Sequence, residues 1–93
     1  METMLTMLKT DLGIRTSTAY DARLTQLLTV AAQAIRNEGA ATLDTSDPLD
    51  QQLIVMYAAW LWRRRDEMQG MPRMLRHALN NRVFGEAAGE ADG

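Results

Sequence analysis

Cysteine is absent and histidine occurs once, at His77. Disulfides, thiolate metal sites and histidine-rich zinc sites are therefore excluded. Valine is confined to Val30, Val55 and Val83, and no stretch alternates apolar and polar residues with period two. Strands have little to build on. The longest apolar run, Leu53 to Trp62, is too short to cross a bilayer, which takes roughly 20 residues. No basic segment followed by a long apolar stretch opens the chain, so no secretion signal is read. There is no excess of positive charge either. Ten basic residues face twelve acidic ones, for a net charge of −2, whereas free nucleic-acid binders usually carry a clear basic surplus.

The 93 residues suit one domain. A core of that size stabilises the fold by only about 5–14 kcal/mol. Without disulfides or metal, association with other chains is the reinforcement left.

What the chain does have is helical punctuation. Met4, Leu5, Leu8 and Leu12 share one face of a first helix over about Glu2 to Leu12, which Gly13 ends. Thr18 and Asp21 stand at capping-box spacing before Leu24, Leu27, Leu28, Ala31, Ala34 and Ile35, the apolar face of a second helix that stops at Gly39. Asp47-Pro48 is the strongest start signal, a capping side chain followed by a residue suited to the first helical position. From there a third, central helix is expected to run to about Met68. Leu49, Leu53, Met56, Tyr57, Trp60 and Leu61 form one face, and Ile54, Val55, Ala58 and Trp62 make its middle apolar on nearly every side. Gly70 and Pro72 break the chain before a short fourth helix with Met74, Leu75, Ala78 and Leu79. The fold class expected is all-α: about four helices, one of them long and central, over residues 1–84. Residues 85–93 (GEAAGEADG) read as a flexible acidic tail.

Chemistry is sparse. No Gly-rich phosphate loop, HExxH or paired-cysteine pattern occurs, so no catalytic, cofactor or metal residue is assigned and the chain is not read as an enzyme. His77 reads as a surface residue, and Asp66 and Glu67 as solvated or paired with nearby arginines. The candidate contact residues are instead Ile54, Val55, Trp62, Arg63, Arg64, Arg65, Arg73 and Arg76. An apolar girdle around the third helix exceeds what short partner helices can cover, so apolar surface at Ile54, Val55 and Trp62 is expected to meet another chain. Trp60 and Trp62 lie roughly 200° apart on a helix and cannot face one small core. The arginines suit bidentate pairing with a partner's acids. A solvated helix end and contact with nucleic-acid phosphates are the other readings.

The order of parts is recognisable. MLTMLKTDLGI precedes DARLTQLLTVAAQAIRNEG. A Thr/Asp-rich loop leads into DPLDQQLIVMYAAWLWRRRDE, and a Gly-x-Pro break into GMPRMLRHAL. From about Met4 to Phe84 this layout resembles the head–tail connector (adaptor) subunits of long-tailed bacteriophages. The resemblance implies a structural protein without cofactor that forms a ring, commonly a dodecamer, under the portal protein at the capsid vertex. Such a ring extends the DNA channel, lets DNA pass without sequence-specific binding, and docks a stopper or other tail component. It implies a place in the virion neck, and in host cytoplasm during assembly, with no membrane partner. The alternative is a small helical DNA-binding packaging or regulatory protein that uses Arg63, Arg64 and Arg65.

Overall fold

A computed structural model describes residues 2–64 and 70–92, and of 88–92 the backbone alone. Four helices follow one another: α1 (Glu2–Leu12), α2 (Asp21–Asn37), α3 (Pro48–Arg63) and α4 (Arg73–Asp92). Among the described residues there is no strand. The all-α expectation holds.

The helix ends follow the sequence where the signals are backbone signals. Gly13 takes φ +74, which places its N–H on the Thr10 carbonyl and that of Ile14 on the Lys9 carbonyl. Gly39 repeats the arrangement after α2, with Ala40 bonding back to Ile35. Both are the left-handed stop that glycine alone adopts freely. Space at Gly39 is also tight. A Cβ there would sit 3.0 Å from Val83 Cγ1 of α4. Asp47 caps α3, its carboxylate accepting from the Asp50 N–H at 3.0 Å, with Pro48 in the first helical turn.

Three expectations are corrected. The Thr18–Asp21 capping box does not form: α2 starts after Tyr20 without a side-chain cap, and Asp21 pairs with Lys9 of α1 at 2.9 Å instead. The third helix is not the long one. It has 16 residues and ends at Arg63, whereas α4 has 20. With Trp62 its apolar surface ends, and a helix gains little from turns that have nothing to pack against. The acidic segment, expected without structure, is helical where it is described. Residues 85–92 continue α4 through Asn80-Asn81 and Gly85. One side of this helix is held by packed or paired residues at successive turns, Leu75, Leu79, Arg82 and Glu86, and tertiary contact of that kind overrides weak local propensity.

α3 is central in packing. It contacts α1, α2 and α4. One cluster of Met4, Leu8, Leu24, Leu28, Ile35, Ile54 and Leu79, all essentially without exposure, joins the four helices. Among the described residues, no helix is long and apolar enough to cross a membrane.

Candidate functional site

Two regions of the molecule carry more than core packing. The first is a polar cluster at the start of α3. Asp50, on the same face as Leu53 and Tyr57, is buried. Its carboxylate accepts from Arg82 Nε at 2.8 Å and from the Asp44 N–H at 2.9 Å. Arg82 reaches Glu86 one turn further along α4 at 3.5 Å. Glu86 in turn accepts from both the hydroxyl and the backbone N–H of Thr42. Loop 40–46, the first turn of α3 and the middle of α4 are thus joined through one guanidinium.

The bonds from Thr42 hold the Glu86 carboxyl below the ordinary glutamate value of 4.5, with a smaller contribution from Arg82. Asp44, bonded by the hydroxyl and N–H of Ser46, is likewise lowered from 3.8. A carboxyl lowered on folding adds stability above its unfolded value and loses it as pH falls through the folded one. Stability is therefore expected to fall as pH drops below about 4.5, and Glu86→Gln is expected to flatten that fall. Urea titrations at a series of pH values measure it. Equal slopes for Glu86→Gln and the parent would refute the assignment.

The second region is an open groove between the last turns of α3 and the start of α4, about 280 Å³ in volume. Met56, Ala59, Trp60, Pro72, Met74 and Leu75 line it, with Arg63, Arg64 and Asp11 at its edge. Trp60 stands edge-on to Tyr57 at 5.4 Å between centroids, and the Arg64 guanidinium lies 5.0 Å from its ring centre. The indole N–H of Trp60 is sealed from solvent with no acceptor among the described residues. Met74, at the mouth, is 78% exposed.

The contact residues expected from sequence divide. Ile54 and Val55 are 0% and 4% exposed, enclosed by the protomer's own helices. The expectation that they show apolar surface in a lone protomer is overturned. The physical reason is that α3 is packed by three helices at once, so its all-round apolar middle is covered from within. Trp62 is half-buried and meets Tyr20, just before α2, edge-on at 5.2 Å. Arg63 and Arg64 come together at the groove. Arg63 is also 3.6 Å from Asp11, an exposed pair of the kind that contributes little. Arg73 is exposed at the start of α4. Arg76 turns to Glu38 at the end of α2, 3.1 Å away. Arg65, Asp66 and Glu67 lie outside the described residues. His77 is exposed. Among the described residues, no group of three histidine, cysteine, aspartate or glutamate side chains could hold a metal.

The sequence reading missed the Asp50–Arg82–Glu86 cluster. One signal was available: Asp50, Leu53, Ile54 and Tyr57 share a helical face, so a carboxylate points where the core is.

Fold and groove together define an all-α, four-helix globule with an open apolar cleft edged by arginine. Comparison with protein families, curated proteins and solved structures finds no match to this chain.

Proposed function

We propose that this chain is a structural assembly subunit, a ring-forming head–tail connector that docks under a portal. The supporting sequence feature is the order of helices and breaks from Met4 to Phe84. The observation that carries the reading is the open groove, where the apolar surface of Trp60 and Met74 stands beside Arg63 and Arg64. Aromatic and arginine side chains around an apolar centre are typical of residues that anchor protein–protein contacts.

A DNA-binding role is less well supported. Arg64 lies against Trp60, Arg76 faces Glu38, and Arg82 is committed to Asp50 and Glu86. Cations engaged in different directions do not make one phosphate-facing surface. DNA would pass through the ring rather than be gripped by it.

Native mass spectrometry of the pure chain, alone and with a phage portal protein, tests the reading. A closed set of copies added to the portal ring is the expected result. A strict monomer that ignores the portal, or a gene with no portal and tail genes around it, would overturn it. Duplex retardation that collapses as salt rises would support the DNA-binding alternative instead.

A further inference from the structure

α4 carries two apolar features that its own chain leaves unmatched. One is the groove at its first turn. The other is Phe84, 75% exposed. Phe84 follows Leu75 by nine positions, about 180° around the helix, so it points away from the core face on which Leu75 is buried. A lone exposed phenylalanine needs no explanation by itself. Here it stands on the same molecule as a cleft of about 280 Å³, and an apolar cavity of about 150 Å³ is enough to take benzene.

The two cannot meet within one protomer. Met74 at the mouth and Phe84 belong to one continuous helix, ten residues and so about 15 Å apart. A rigid helix cannot fold its own outer face into a groove at its start. Only a second copy can bring them together.

The charges agree. The groove is edged by Arg63 and Arg64, with Arg73 following, and among the described residues Asp11 is the acid at its edge. Glu86 is taken up by Arg82 and Thr42, but after it the sequence has Glu90 and Asp92 and no cation. A socket edged by arginine and an aromatic side chain followed in sequence by acids and no cation are complementary.

We propose that Phe84 of one copy seats in the Trp60–Met74 groove of the next, a head-to-tail contact between copies of this chain. A contact between two different patches is heterologous. Repeated, it closes into a ring or runs on as a filament, whereas a two-fold contact stops at a dimer. This rests on the reading of the chain as a self-assembling subunit and names the surface that does it.

The absence of cysteine allows a direct test. Asn81→Cys, one turn before Phe84 on α4, and Met74→Cys each alter an exposed side chain and leave Phe84 in place, so both variants should fold and keep the contact. One is mass-tagged, the two are mixed, and mild oxidation is applied to the free chain and to the portal-bound assembly. The mixed disulfide is expected to dominate over like-with-like products. Phe84→Ala is expected to weaken self-association about tenfold, as loss of a central anchor does. Leu49→Ala, which removes an apolar group 81% exposed at the start of α3, is expected to leave it unchanged.

Dominant like-with-like products would mean a two-fold contact and overturn the proposal. So would an equal loss from Leu49→Ala, which would mean general stickiness. Assembly without the mixed product overturns the groove contact and leaves the connector reading standing. The mixed product in a chain that ignores the portal does the reverse. A monomer under both conditions sinks both.

Discussion

Arg82→Met is expected to destabilise the protein by about 2–3 kcal/mol, near or below the lower end of the cost of breaking a buried ion pair. The reason is the geometry around Asp50. Its side chain is 8% exposed, and Arg82 is the cation that faces it at 2.8 Å. Methionine fills much of the same space but leaves a carboxylate enclosed without its counter-charge. The full cost of a dry pair is not reached, because the Arg82 side chain keeps 22% exposure. For a domain of this size, such a loss lowers the melting temperature by roughly 10–20 °C. Thermal melts followed by circular dichroism measure it. The same substitution should cost less when Asp50→Asn and Glu86→Gln are already present, since the groups act as one network. A loss that is equal in both backgrounds would show that Arg82 acts through its aliphatic stem alone. Hydrogen exchange offers a second readout. The amides around Arg82 and those of loop 40–46 should lose protection together, because the guanidinium joins Thr42, Asp50 and Glu86.

The cluster also shows where sequence reading stops. The stops of α1 and α2 and the start of α3 were legible because a single residue or pair signals each of them. Gly13 and Gly39 supply left-handed backbone, and Asp47-Pro48 supplies a cap and a fixed φ. The apolar face of α2 was legible from spacing alone, and Leu24, Leu27, Leu28, Ala31 and Ile35 are all buried. Arg82 and Asp50 are 32 positions apart, and no periodicity links them. A pairing of that kind needs the tertiary arrangement to be known first. The acidic run after Phe84 looked like a solvated tail for the same reason. Its composition is that of disorder, but Glu86 finds Thr42 across 44 positions.

The groove was half legible. Trp60, Arg63 and Arg64 were marked by their residue types, but their partner wall was not. It comes from Pro72, Met74 and Leu75, beyond a break in the chain. The loop contribution was missed as well. Tyr20 lies before α2 and covers part of Trp62, so counting cover from helices alone overstated the apolar surface left free.

The fate of Ile54 follows from that overstatement. Ile54→Ala is expected to cost about 2–4 kcal/mol in the protomer itself, the usual loss for a large aliphatic side chain truncated inside a packed core. Ile54 has no exposure and sits in the cluster that joins all four helices. Surrounded on every side, the site can collapse only partly, so the lost methylene contacts are compounded by a residual cavity. Leu49→Ala, one and a half turns earlier on the same helix, removes a similar group at 81% exposure and should stay within about 0.5 kcal/mol. The contrast separates two roles that an all-round apolar helix can have. A residue held by its own chain lowers the melting temperature of the protomer at any concentration when truncated. A residue held by a neighbouring chain does so only where the assembly exists, because binding stabilises by mass action. Denaturant melts of Ile54→Ala at two widely separated protein concentrations decide between them. An equal loss at both places Ile54 in the protomer core. A loss seen only at the higher concentration would return it to an interface and require a different packing of α3.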